Sequence, residues 1–125
     1  MNALDPVDST NYFFGMIPLA AHTTSWGNRA IFLNNCIIRG VAFTTVAVDN
    51  NGSDEDMSLY VRVNDTTDTL VKTVGIAAQV REFSNSALNI AIASGDFVEM
   101  KFVCPLWASN PAGVRGAGYL YIESA

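Results

Sequence analysis

The sequence predicts an all-β protein, an antiparallel sandwich of about eight to ten short strands. Three observations predict it. First, apolar and polar residues alternate in run after run, and a period of two puts one face of a segment inward and the other outward. The cleanest case sets Met57, Leu59, Val61 and Val63 against Ser58, Tyr60, Arg62 and Asn64. Second, turn-forming residues recur roughly every eight to twelve positions. Third, no window sustains a 3.6-residue period with caps at both ends. Without helices to carry parallel crossovers, the sheets are antiparallel.

In chain order, residues 1–15 read as an N-terminal arm and residues 16–125 as the sandwich domain. The arm carries Asn2, Asp5, Pro6, Asp8, Ser9, Thr10 and Asn11, then the aromatic anchor Tyr12, Phe13 and Phe14. Alone, such a segment buries too little apolar surface to offset its ordering entropy, so it is expected to be mobile. Its aromatics are expected to dock on a partner. Met16 to Ala21 is expected to be a short first strand, with Pro18 placing it at an edge or a bend. His22 to Asn28 reads as a turn, and Arg29 to Leu33 as a short extended piece. Cys36 to Val48 is the longest β-branched run, and Gly40 marks an expected bulge within it. Asp49 to Asp56 is expected to be an acidic hairpin loop, and Asn64 to Asp68 the next turn. Leu70 to Ile76 and Gln79 to Phe83 are two more short strands.

The last third organises the rest. Leu88, Ile90 and Ile92 alternate with Asn89, Ala91 and Ala93. Val98, Met100, Phe102 and Cys104 then alternate with Phe97, Glu99, Lys101 and Val103. Ser94, Gly95 and Asp96 between these runs suit a tight hairpin, since Gly tolerates positive φ and Asp can bond its own backbone. Val98, Met100, Phe102, Leu59 and Val61 are the expected core. The closing run, Val114 to Ile122, is apolar on both faces, small in its first half and bulky in its second. Such a strand is expected to be covered on both faces, by the opposite sheet or by another copy of the chain. Leu120 and Ile122 are expected to point into the sandwich, and Tyr119, Tyr121 and Arg115 toward a neighbouring copy.

Composition narrows the function classes. Hydrophobic residues make up 50% of the 125, charged ones 15%, and the net charge is −5. A surface this poor in charge suits one covered by partners. Scattered basic residues and a negative balance argue against holding nucleic acid through phosphates. No run approaches the roughly 20 apolar residues of a membrane span. The N-terminal stretch lacks a basic region and an apolar signal core, so synthesis in a cytoplasm is expected. Cys36 and Cys104 each sit at the edge of an apolar run and read as buried thiols; a disulfide between them is the alternative.

At eight or more strands the commonest sandwich is a jelly roll; an immunoglobulin-like sandwich competes, but Trp26 precedes both cysteines and Trp107 follows both. Gly95, Asp96, Val98, Trp107, Pro111, Val114, Arg115, Gly118, Leu120, Ile122 and Glu123 form a strand, a Gly-Asp turn, a strand, a Trp-containing loop and a final strand. This ending resembles the closing strands of tumour-necrosis-factor-like jelly rolls, and more closely those of small structural proteins of tailed bacteriophages. The resemblance covers about 30 residues. It implies a homotrimer around a three-fold axis, used for adhesion, receptor binding or capsid decoration.

Candidate chemistry is sparse. His22 is the single histidine, and any Ser/His/Asp or Cys/His set would need it. Beside Thr23, Thr24 and Trp26 it reads as a turn residue. The acidic loop 49–56 is rich in oxygen ligands and could hold calcium, but Gly52 falls at the wrong position for an EF-hand loop. Asp96 and Glu99 are expected on one exposed face near a turn, which is not the cleft a carboxylate pair needs. Gly113, Gly116 and Gly118 lead into a strand, which points to close backbone approach rather than a phosphate loop. Trp26 and Trp107, in loops, either plug one end of the barrel or meet a partner. The expectation is therefore a non-enzymatic virion protein without cofactor, made in the host cytoplasm. It would be a homotrimer decorating the capsid through the major capsid protein or another virion protein, with no nucleic-acid or membrane partner. Docking is assigned to Tyr12, Phe13, Phe14, Trp26 and Trp107. The alternative is the receptor- or glycan-binding head of a tail fibre.

Overall fold

The alternating runs form nine strands among the described residues: β1 (Asn11–Phe14), β2 (Ile31–Phe32), β3 (Cys36–Val46), β4 (Met57–Val63), β5 (Thr67–Val74), β6 (Val80–Asn85), β7 (Ile90–Ile92), β8 (Phe97–Val103) and β9 (Arg115–Ser124). The structure is a computed structural model that describes residues 5–15, 23, 31–48, 56–75, 79–107 and 109–125, Phe32 by its backbone alone. Every pairing between these strands is antiparallel. In the first sheet β1 and β2 share the lane beside β8, followed by β4 and β5. In the second, β6 and β7 share one side of β3, and β9 runs along the other side for the whole length of β3. The two sheets pack face to face as an antiparallel β-sandwich.

The core lies between the sheets because the alternation puts one side of each strand there. Leu59, Val61, Val98 and Phe102 are fully buried and Met100 nearly so, as their runs predict. Phe14 and Phe102 come from the first sheet and Phe43 and Phe83 from the second. Their ring centroids lie 5.1–5.7 Å apart in four tilted or edge-on pairs, the geometry that aromatic quadrupoles favour. The expected bulge is present: register slips between Ile38 and Gly40. The extra residue resets the alternation, so Cys36 and Ile38 before it and Val41, Phe43 and Thr45 after it all face inward. Asn64 and Asp65 both take positive φ, and the Thr66 N–H donates to the Val63 carbonyl. This is a type I′ turn, whose twist matches that of the β4–β5 hairpin.

Several expectations need correction. Residues 11–14 belong to the sandwich, so the boundary between arm and domain does not fall at residue 15. The described part of the arm is stitched to the β8–β9 connection. Asp5 accepts from the Gly113 N–H at 2.7 Å, Asp8 from the Trp107 N–H at 3.2 Å, and the Pro6 carbonyl from Asn110 at 2.9 Å. Ser94-Gly95-Asp96 is a turn, with Gly95 at φ +93°, but not a hairpin. It carries the chain from β7 in the second sheet to β8 in the first. Likewise β3 and β4 lie in different sheets, so residues 49–56 do not close a hairpin. Glu99 is fully buried rather than exposed. The expected strand at 16–21, and Asp49 to Glu55 of the acidic loop, lie outside the described residues.

Candidate functional site

The two outer faces of the sandwich differ in what they present. On the first sheet, Phe13, Tyr60, Arg62, Asp68, Glu99 and Lys101 point outward from adjacent strands. Asp68 accepts from Arg62 at 2.7 Å and from Lys101 at 2.5 Å, and Arg62 lies 3.7 Å from Glu99. The Arg62 guanidinium stands 5.5 Å from the Phe13 ring centroid, and the Lys101 ammonium 5.8 Å from that of Tyr60. Burial pushes the Asp68 carboxyl up. The hydrogen bonds and charges of Lys101 and Arg62 outweigh it and hold the group below the usual carboxylate range. The charges of this face are paired within the chain.

The outer face of the second sheet has an apolar centre. β3 contributes Ala42, Thr44 and Val46, β6 contributes Val80, and β9 contributes Ala117, Tyr119 and Tyr121. Tyr119 is 63% exposed, Val80 57%, Tyr121 49% and Val46 48%. The two tyrosine rings meet edge-on at 5.3 Å, and a hydrogen bond between their side chains raises the Tyr121 phenol above its ordinary value. Arg115 stands at one end and Arg39 at the other, bonded to Glu123 and Asn89 at 2.5 Å each; on the β6 side Glu82, opposite Thr44, accepts from the Ser84 hydroxyl at 2.8 Å.

Local sequence builds this face. Gly116 and Gly118 turn inward over Phe43, where a Cβ on Gly118 would lie 2.2 Å from the Ala42 carbonyl oxygen. Side chains there would lift β9 off β3. Gly40, at the bulge, lies beneath the Tyr121 ring, whose Cδ2 would be 3.1 Å from an added Cβ. Leu120 packs on the core as expected, whereas Ile122 is 47% exposed. It stands at the rim of an apolar groove of about 560 Å³, lined also by Phe14, Leu33, Phe43, Met100 and Leu120. The groove offers a sugar few hydrogen-bonding groups.

The sequence-predicted site residues divide. Tyr119, Tyr121 and Arg115 share one exposed face, as expected. Tyr12, Phe13 and Phe14 do not serve for docking: all three are buried in the chain's own sandwich, because β1 pairs with β8 and leaves them almost no free surface. The Tyr12 hydroxyl accepts from the Val7 N–H at 2.9 Å. Trp107 is 4% exposed, the plug rather than the contact. Trp26 and His22 lie outside the described residues. Cys36 and Cys104 are free and buried. Burial, with Arg81 pulling down and Asp8 pushing up, takes the Cys104 thiol up to about 12. It is therefore protonated at neutral pH and no nucleophile. Sequence reasoning missed Val46 and Val80. For Val46 the signal was present: β-branched residues occupy both phases of the alternation in the β3 run, and a strand facing water on one side seldom carries them there; the β6 run holds one β-branched residue, Val80 itself, and gave no such signal. No family model matches the chain, and no curated protein or solved structure shows significant similarity to it.

Proposed function

We propose that the chain is a structural protein of a virion, a homotrimeric capsid decoration protein of a tailed bacteriophage that stabilises the head shell. One observation carries the reading: the outer face of the second sheet exposes an apolar cluster, Tyr119, Tyr121, Val46 and Val80, with charge around it at Arg115, Arg39 and Glu82, the composition of an interface. In a ring of three copies, each such face meets the side of the next copy. The function is then mechanical, with contact area to the major capsid protein as its product, and it needs neither catalytic group nor cofactor.

Two further points support it. The chain crosses between sheets at β2–β3, β3–β4, β5–β6, β7–β8 and β8–β9. Repeated crossing of this kind fits the wound connectivity of a jelly roll, the form of sandwich that the closing strands resemble. That resemblance also supplies the phage setting. The apolar groove supports a receptor- or glycan-binding head less well, since recognising a sugar needs polar groups converging on one spot.

The test joins light scattering at micromolar concentration to sedimentation with purified particles. The expected result is three chain masses and hundreds of copies bound per particle, the copy number of a shell protein. Tyr119→Ser/Tyr121→Ser should lose the trimer while keeping the fold by circular dichroism. A wild-type monomer that leaves particles bare overturns the reading.

A further inference from the structure

We infer that the end of the sandwich built from residues 5–10 and 104–113 is the surface that seats on the shell, and that its partner there is an apolar patch of the shell protein bordered by lysine or arginine. This contact rests on the proposed function and supplies the surface through which it acts. The trimer uses the outer face of the second sheet; seating uses an end, and leaves that face to the neighbouring copy.

The apolar side chains left in water are not scattered. Among the described residues, the outer face accounts for four of the large ones, the groove for Ile122 and β5 for Leu70. The remaining three, Leu106, Val48 and Val7, are each more than half exposed, and they gather at one end. The backbone that carries them is fixed. The Ser9 N–H donates to the Pro105 carbonyl at 3.0 Å, and the Cys104 N–H to that of Thr10 at 3.1 Å. Together with the bonds of Asp5, Pro6 and Asp8 to the β8–β9 connection, these lay residues 5–10 antiparallel to 104–113. Val7 and Leu106 stand on the two sides of this ledge. Val48 joins it through its N–H, which donates to the Ala112 carbonyl at 3.0 Å, and packs on Gly113. Apolar groups grouped at a surface and rimmed by polar ones mark an interaction site. A ledge already ordered loses little freedom when it binds.

Charge selects the partner. Asp5 and Asp8 each give one carboxylate oxygen to a backbone N–H. Asp56 is exposed where the chain enters β4 at the same end, since Ser58 lies opposite Val103. Among the described residues none of the three forms an ion pair. The described basic groups of this end are Arg81, buried between the sheets, and Arg115, on the outer face. Such an end attracts a basic surface and repels an acidic one. Symmetry adds to this. Rotation about a three-fold axis keeps every atom at its height along the axis, so the three copies of the end lie on one side of the trimer at one level. Three modest contacts then act as one firm attachment.

The experiment is sedimentation of the full chain with purified particles assembled without it, at low and high sodium chloride, with oligomer mass read by light scattering. Val7→Ser/Leu106→Ser should keep the fold by circular dichroism and keep the trimer, yet weaken particle binding about tenfold or more, the worth of burying such side chains. Asp5→Asn/Asp8→Asn keeps both hydrogen-bond acceptors and removes the charge. It should weaken binding about tenfold at low salt, with the gap closing at high salt. Leu70→Ser, at an exposed apolar position on β5, should bind as the wild type does. A Val7→Ser/Leu106→Ser trimer that binds particles like the wild type overturns the end contact and leaves the proposed function standing. An equal loss from Leu70→Ser does the same. Wild-type binding by Asp5→Asn/Asp8→Asn at low salt overturns the basic partner. A wild type that leaves particles bare overturns both the contact and the proposed function.

Discussion

Phe102→Ala tests whether the core is built as described. Phe102 is fully buried on β8 and touches three rings: Phe14 from its own sheet, and Phe43 and Phe83 from the other. Removing a buried phenylalanine costs about 3–5 kcal/mol, part transfer and part residual cavity. This site belongs at the upper end. Its neighbours are anchored on both sheets and cannot collapse into the space, and each aromatic pair adds about 0.5–1.5 kcal/mol beyond burial. Against a total stability of about 5–15 kcal/mol, the variant would lose much of its margin, and all of it at the lower end. At about 2 kcal/mol per molar urea, the unfolding midpoint should fall by about 2 M. The melts need one fixed protein concentration, since self-association adds its own stabilisation. A loss below about 1 kcal/mol would mean that Phe102 does not stand between the sheets, and the inward phase of β8 would be wrong.

Two further outcomes follow from the geometry. Gly118→Ala would place a methyl group 2.2 Å from the Ala42 oxygen and 2.7 Å from Phe43 Cα, both backbone. β9 must then move, at a cost of about 1–3 kcal/mol or more in the same denaturant assay; wild-type stability would refute the β3–β9 register. Asp68→Asn should flatten the acid limb of the stability curve. A carboxyl whose folded pKa is depressed contributes fully above its unfolded value near ~4 and loses that contribution as pH falls through the folded value. The wild type should exceed the variant at pH 7, with the gap closing below pH ~4; a gap constant from neutral to strongly acid pH would separate Asp68 from Lys101 and Arg62.

Much of the fold was legible because a period of two assigns faces directly. β3, β4, β8 and β9 lie within two residues of where alternation puts them, and the core residues named from those runs are buried. Alternation does not say which strand lies alongside. A Ser-Gly-Asp turn suits a hairpin and a crossing between sheets equally, so neighbours in sequence were read as neighbours in a sheet. Phase is also ambiguous where both sides of a strand carry mixed residues. In β6, Val80 and Glu82 lie on one side, Arg81 and Phe83 on the other. The structure buries the second pair, Arg81 with its guanidinium 3.9 Å from the Met57 sulfur. The arm was misread because Tyr12, Phe13 and Phe14 have no polar residues between them, so no alternation identifies them as a strand. Their burial on both faces follows from pairing with β8, which no local pattern announces.

The placement of charge bears on the contact proposed for the second sheet. Arg62 and Lys101 are held by Asp68 and Glu99, and Arg39 by Glu123. Beside Tyr119, Tyr121, Val46 and Val80 the outer face carries Arg115 on β9 and Glu82 on β6, which accepts from the Ser84 hydroxyl at 2.8 Å. Four large apolar side chains against two charges at the margins make burial the main source of association there. Kosmotropic salt strengthens such burial, since it is excluded from protein surface. Raising sodium sulfate should therefore hold or raise the trimer mass read by light scattering. Loss of the trimer as sulfate rises would mean that charge pairs, which salt screens over a Debye length of about 10 Å at 0.1 M, hold the copies together, and the apolar reading of the face would fail.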